Sequence, residues 1–251
     1  MEAPEKIAVA GATGRVGRHV VDVLEERGHD VVPMSRVFGV DIITREGLAE
    51  ALTGVDSIVD AATGPSPEEE AATAFFTTAA RNLQEVGRQA GVRRMVVVSI
   101  IGTDRFTSGY GAAKVAHEQA ALAGPIPARV LRAAQFHEFV EQLMQWGTQG
   151  EVAYVPKMRT QLVAARAVAE VVADLLGEPE WTGAPVSEVA GPREESLVEA
   201  ATLFASRRGL PLKVEGVSDP TQEVNESGGL LPGPDARLVG PTFEAWLDAT
   251  T

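Results

Sequence analysis

Residues 6–17 read KIAVAGATGRVG: an apolar run, Lys6–Ala10, that stops at three glycines, Gly11, Gly14 and Gly17, and passes at once into helical spacing. Few folds begin this way. The run is apolar throughout rather than alternating, which a strand buried on both faces requires. Helical spacing covers Gly14–Arg27, with Gly28 as its stop signal. The rhythm then repeats. Strands are expected over Asp30–Met34, Asp56–Ala61, Arg94–Ile101 and Ala128–Ala133. Helices are expected over Thr44–Leu52, Pro67–Ala90 (capped near Ser66) and Tyr110–Leu122. Strands alternating with helices predict an α/β fold, a Rossmann-type doubly wound parallel sheet. After about Gln135 the rhythm loosens. One helix is clear over Thr160–Gly177 and another over Phe243–Ala249, while Glu215–Gly240 is rich in glycine and proline and reads as a loop or lid. The expected division is a core over 1–134 and a smaller C-terminal part over 135–251, woven onto it.

The loop Gly11-Ala-Thr13-Gly14-Arg15-Val16-Gly17 has the chemistry of a pyrophosphate cradle. Glycines allow the tight turn and the close approach of backbone N–H groups, and the helix that follows adds its N-terminal dipole. Its position between a first strand and a first helix is the context that a dinucleotide site needs. The second strand ends Met34-Ser35-Arg36. A site selective for NAD places an acid there, for the ribose 2′-hydroxyl; a hydroxyl and a guanidinium suit a 2′-phosphate instead. The expected cofactor is therefore NADP(H), with Arg15 as a second cation. Asp41 either bonds the adenine amine or caps the segment that follows.

A tyrosine, Tyr110, stands four residues before Lys114 in TSGYGAAKVAHE. On a helix the two share a face. A free phenol titrates near pH 10, and a neighbouring ammonium stabilises its phenolate and lowers that value. Lys114 can also reach a nicotinamide ribose. Ser99 closes the strongest strand, RMVVVSII, where a parallel sheet presents its ligand crevice, and is the expected hydroxyl for orienting a substrate oxygen. Thr103, Thr107 and Ser108 are substitutes for it. Phe136, His137 and Phe139 follow a strand end and are expected either to line a substrate pocket or to pack an amphipathic helix.

Taken together, GATGRVG, DSIVDAAT, RRMVVVSIIGTDR, GYGAAKVAHE and LRAAQFHEFV resemble the short-chain dehydrogenase/reductase superfamily, and within it the atypical NmrA-like branch. The resemblance spans nearly the whole chain. It implies a Rossmann core with a small C-terminal substrate lobe. By it, Gly11, Thr13, Gly14, Arg15, Val16 and Gly17 match the pyrophosphate loop, and Ser35 and Arg36 the NADP-selecting position. Ala61, Ala62 and Thr63 match the strand end along the cofactor ribose, and Tyr110, Lys114 and Ser99 the catalytic positions. Asn82 is similar to a helix asparagine that steadies the strand of the catalytic serine. Many relatives carry two adjacent hydroxyl residues where this chain has Ser99-Ile100. The branch also contains proteins that bind NADP as redox sensors.

Composition narrows the function. With 251 residues, 45% hydrophobic and 23% charged, a packed core is expected. A formal net charge of −13 opposes phosphate backbones and anionic lipid, which argues against nucleic-acid and membrane partners. There are no cysteines, so disulfides and thiolate metal sites are excluded, and the four histidines lack metal-ligand spacing. The N-terminus does not read as a secretory signal, and no apolar run nears the roughly 18 residues of a membrane span. A cytoplasmic enzyme acting on a small molecule is expected, possible also as a homodimer. The expected activity is NADP(H)-dependent oxidoreduction at a carbonyl-like or quinone-like centre. The alternatives are a sensor that binds NADP without turnover, and an epimerase or dehydratase that keeps its cofactor.

Overall fold

The computed structural model describes residues 4–178, 181, 184–218 and 223–250. Two compact units result, Met1–Arg132 with Ala169–Ser187, and Ala133–Val168 with Glu188–Thr251. The chain passes from the first unit to the second after Arg132, and Ala169–Ser187 belong to the first unit again.

The chain runs β1 (Lys6–Ala10), α1 (Gly17–Glu26), β2 (Asp30–Met34), α2 (Leu48–Ala51), β3 (Ser57–Asp60), α3 (Glu69–Ala90), β4 (Arg94–Ile100), α4 (Gly109–Leu122) and β5 (Ala128–Ala133). It continues α5 (Phe139–Gly147), β6 (Thr148–Gln149), β7 (Val152–Pro156), β8 (Arg159–Thr160), α6 (Ala165–Gly177), β9 (Val186–Ala190) and β10 (Glu195–Ser196). Last come α7 (Leu197–Arg207), β11 (Lys213–Val217), α8 (Glu223–Glu226), β12 (Arg237–Leu238) and α9 (Phe243–Ala249).

A seven-stranded sheet has the order β12-β9-β5-β4-β3-β1-β2, the Rossmann-like α/β arrangement. β1 lies parallel to both β2 and β3, with Ile7 opposite Val31 on one side and Ser57 on the other. The strand order therefore reverses between β1 and β3, and a doubly wound sheet opens its crevice outside the carboxyl ends at such a switch point. Ile7, Ala8, Val9 and Ala10 are wholly buried, as the unalternating run predicts. Met34, Leu48, Ile58, Leu83, Met95 and Val97 belong to the same apolar cluster.

Three expected helices start three or more residues late, each for a local reason. Gly14 N–H donates to Gly11 O at 2.8 Å, so the glycine loop is a tight turn and α1 begins only at Gly17. The segment 41–47 is a turn rather than a helix. Asp41 Oδ1 accepts the amides of Ile43 (2.7 Å) and Thr44 (3.1 Å), and Arg45 and Gly47 take left-handed φ of 70° and 67°. Ahead of α6, Thr160 pairs with Glu195 and Val163 bridges Phe136, which keeps residues 160–163 extended. The Glu138 carboxylate then accepts Ala165 N–H at 3.2 Å, where the helix starts.

The second unit has its own core, containing Val140, Met144, Val155, Leu162, Phe204, Phe243 and Leu247. Its small sheet has the order β11-β7-β6, with β11 parallel to β7. The expected lid at 215–240 thus contributes β11, α8 and β12, although residues 219–222 of it lie outside the described ones.

Candidate active site

The glycine loop is pinned to the sheet. Gly11 and Ala12 N–H both donate to Met34 O, at 3.0 and 3.3 Å. Gly11 has φ +76°, and a Cβ there would stand 2.7 Å from Ala61 O and from Ala62 Cα. A Cβ on Gly17 would stand 2.1 Å from Gly11 O. The loop therefore lies directly on the end of β3, and only glycine permits it. Val16 is buried, Thr13 and Thr63 are exposed, and Arg15 is half-buried. The first turn of α1 has neither a side-chain cap nor an acid, so its amides and dipole suit an anion. At the end of β2, Ser35 Oγ is buried without a hydrogen-bond partner, while Arg36 is exposed. Asp41 caps its turn, as above. A dinucleotide fits these features: a cradle that any Cβ would fill, uncapped helix amides, and an orphaned hydroxyl with a guanidinium beside it.

Tyr110 and Lys114 sit on the first two turns of α4 and flank one ring. Phe76, from α3, meets Tyr110 edge-on at 5.7 Å, and Lys114 Nζ stands 4.4 Å above its centroid. Lys114 is buried. Its ammonium donates to Val98 O at 3.0 Å and contacts His117 Nδ1 at 2.9 Å. His117 Nε2 contacts Asp60 Oδ2 at 2.9 Å, and Asp60 Oδ1 accepts Ala62 N–H at 3.0 Å. An unbroken series of contacts thus joins the glycine loop, the β3 end and the ammonium. Burial lowers Lys114 to about 8, with Asp60 and Glu118 opposing the fall. Burial would raise the Asp60 carboxyl, but the His117 ring, the Ala62 amide and Lys114 together hold it below its ordinary value. Burial also lowers His117, helped by the charge on Lys114. Tyr110 departs from expectation. Burial pushes its phenol up, and the Lys114 ammonium donates to Val98 O and contacts His117 Nδ1.

Ser99 has a different setting from the expected one. Its hydroxyl donates to Glu118 Oε1 at 2.5 Å inside a buried network. The same oxygen accepts from Thr103 (3.2 Å) and from Arg132 Nε (3.0 Å), and Glu118 Oε2 accepts from Arg132 at 2.8 Å. Thr107 and Ser108, just ahead of Tyr110, are exposed. Asn82 does not steady β4. Its Nδ2 donates to Ile42 O (2.7 Å) and Ile43 O (2.9 Å), and its Oδ1 accepts from Arg45. It therefore holds the turn after β2.

Phe136, His137 and Phe139 lie in the second unit. Phe139 meets Trp146 edge-on at 5.9 Å, and both phenylalanines are partly exposed. His137 is buried against Phe243 and Trp246, with Nε2 3.1 Å from Pro241 O. Burial lowers it to about 4, so it is neutral at neutral pH and is no general acid there. Sequence reasoning missed Asp60, His117 and Glu118. Two signals were available: an acid closing an apolar strand, SIVD, and a histidine one helical turn beyond the lysine.

Comparison with known proteins agrees with this geometry. A family model described as NAD(P)H-binding matches residues 11–179. The 3-beta-hydroxysteroid dehydrogenase of Mycolicibacterium neoaurum is 34% identical over 113 residues, a match that covers 36% of this chain and 31% of that protein. The chain thus spans about a third of that relative's length. Among solved structures, MoeE5 in complex with UDP-glucuronic acid and NAD has a TM-score of 0.74 at 19% identity, covering 97% of this chain and 96% of that one. A dTDP-4-dehydrorhamnose reductase from Clostridium acetobutylicum has a TM-score of 0.75 at 16% identity, covering 98% and 99%. The corresponding reductase from Bacillus anthracis, in complex with NADP, has 0.73 at 18%, covering 98% of each chain. At these identities the likeness is one of fold. The match across well over half of the sequence, on a glycine cradle set at the switch point of a doubly wound sheet, decides the membership: the chain belongs to the NAD(P)H-binding family.

Proposed function

We propose that this protein is an NADP(H)-dependent oxidoreductase that reduces a carbonyl-like or quinone-like small molecule, with Tyr110 as proton donor. The observation that carries the reading is the buried Lys114 ammonium, tied through His117 and Asp60 to the strand end on which the glycine loop rests. When bound, the cofactor supplies the hydride. The chain supplies the rest. The glycine loop and the first turn of α1 hold the pyrophosphate. Ser35 and Arg36 take the 2′-phosphate, which is why NADP is preferred to NAD: no acid stands at the end of β2, and the buried Ser35 hydroxyl lacks a partner. The Tyr110 phenol, which burial pushes up from its ordinary value near 10, is set to give a proton to the substrate oxygen as the carbonyl is reduced. Lys114 stabilises the phenolate left behind and donates to the nicotinamide ribose. Ser99 is assigned to the Glu118 network, and the exposed Thr107 and Ser108 are the hydroxyls proposed to orient the substrate.

The test is titration with NADPH and NADH, then turnover of wild type and Tyr110→Phe. Tighter binding of NADPH, with turnover that needs Tyr110, supports the reading. Equal affinity for the two cofactors rejects the NADP assignment. A second reading, a sensor that binds NADP and turns nothing over, is favoured by one observation, the commitment of Ser99 to Glu118. It expects tight binding without oxidation of NADPH.

A further inference from the structure

We propose that Asp60 and His117 are positioning residues for Lys114, a pair that fixes where the ammonium stands and which of its hydrogens remains for a ligand. The inference rests on the reductase reading above.

An ammonium has three donors and no lone pair. One hydrogen of Lys114 goes to Val98 O at 3.0 Å, and a second faces His117 Nδ1 at 2.9 Å. Nδ1 can receive it only as a bare lone pair, which puts the ring proton on Nε2. That proton faces Asp60 Oδ2 at 2.9 Å, and the other Asp60 oxygen takes Ala62 N–H. Carboxylate, neutral imidazole and ammonium satisfy every one of these contacts. A second ring proton would set an N–H against the ammonium, and the other tautomer would do so while turning a lone pair toward the carboxylate. Packing holds the ring in this orientation: it stacks on Phe76 at 4.8 Å with an interplanar angle of 21°. The third hydrogen of Lys114 is then left for the cofactor ribose or the Tyr110 phenol. Because Ala62 lies under Gly11, one strand end sets both the cradle and the ammonium.

The charges around this cluster come from several elements. Asp60 is on β3; Tyr110 and Glu118 share α4 with Lys114 and His117. Glu118 is paired with Arg132 of β5, which also reaches Asp104 in the turn before α4. From α3 come the Phe76 ring and the Glu69 carboxylate, the latter bonded to Gly109 N–H, while β4 contributes the Val98 carbonyl. Asp60 and Glu118 are the charges that hold up the Lys114 ammonium against burial.

The first experiment needs no turnover. Nitrogen–proton correlation of the histidine rings is recorded on the full wild-type chain without cofactor, between about pH 6 and about pH 8. The expected result is a His117 ring protonated on Nε2 alone across that range. A proton on Nδ1, or uptake of a second proton in the range, overturns the proposal. The second experiment follows NADPH affinity against pH in wild type, Asp60→Asn, His117→Asn and His117→Phe. In wild type the affinity falls as the ammonium is lost near pH 8. Asp60→Asn moves that fall down by about one pH unit, since a facing negative charge is gone. His117→Phe moves it likewise, and His117→Asn, whose amide oxygen replaces Nδ1, restores it. An unmoved fall in Asp60→Asn, or a His117→Asn no better than His117→Phe, overturns the proposal. Failure of the reductase reading shows itself differently, as NADPH that binds with this pH dependence and is not oxidised.

Discussion

At the scale of single residues, the same helix face holds a residue read from the sequence and one hidden in it. Tyr110 and Lys114 stand out through their spacing, since residues four apart share a helix face whatever else the fold does. His117 does not, because its role depends on Asp60, 57 residues away, and on the packing of α3 that brings Phe76 over both. Burial is also invisible in a motif. An ammonium beside a phenol predicts a lowered tyrosine, whereas the folded chain raises it by desolvation. Tyr110→Phe is expected to lower turnover by about 10²- to 10⁴-fold, the usual worth of a general acid, with NADPH affinity little changed. Initial rates and fluorescence titration read the two effects separately. Ser99→Ala is expected to act on stability instead. It removes a buried hydrogen bond to a carboxylate, which costs about 2 kcal/mol, read from the denaturation midpoint, while NADPH oxidation persists.

Among the elements, β1 is legible because burial on both faces leaves an unalternating run. β1, β2 and β5 match their expected bounds. Helix starts are less so, because turn chemistry competes with helical spacing. The left-handed Arg45 is a clear case. Its guanidinium bonds Asn82 Oδ1 at 2.7 Å, a contact across 37 positions of sequence. In the second unit the two-residue strands β6, β8, β10 and β12 carry no periodicity to read. Two substitutions test the elements. Gly17→Ala drives a Cβ into Gly11 O at 2.1 Å, so the loop must leave the β3 end. A stability loss of about 1–3 kcal/mol is expected, with a larger proportional loss of NADPH affinity. Asn82→Ala leaves the Ile42 and Ile43 carbonyls unheld and is expected to cost about 2 kcal/mol with turnover chemistry intact, measured by thermal and denaturant unfolding.

For the whole molecule, one buried histidine sets a pH dependence of known sign. His137 has its value lowered from 6.5 to about 4. The unfolded chain takes up this proton first, so stability is intact above about pH 6.5 and is lost as pH falls through about 4. The loss is on the order of 3 kcal/mol. His137→Phe keeps the ring packing against Phe243 and Trp246 and should flatten this slope by one proton. Unfolding free energies of the two chains between these pH values decide the point, and parallel slopes would remove His137 from the account. No helix among the described residues is long and apolar enough to cross a membrane. The two units leave their separate mark on legibility too: the return of Ala169–Ser187 to the first unit has no signal in composition. The central claim, that this fold carries out NADPH-dependent carbonyl reduction through Tyr110, is tested most directly by NADPH oxidation. The loss of reduced nicotinamide is followed against a panel of aldehydes, ketones and quinones, in wild type and Tyr110→Phe. The account predicts oxidation with at least one of them and its loss in the variant. Tight NADPH binding without oxidation by any, or oxidation that survives Tyr110→Phe undiminished, would contradict it.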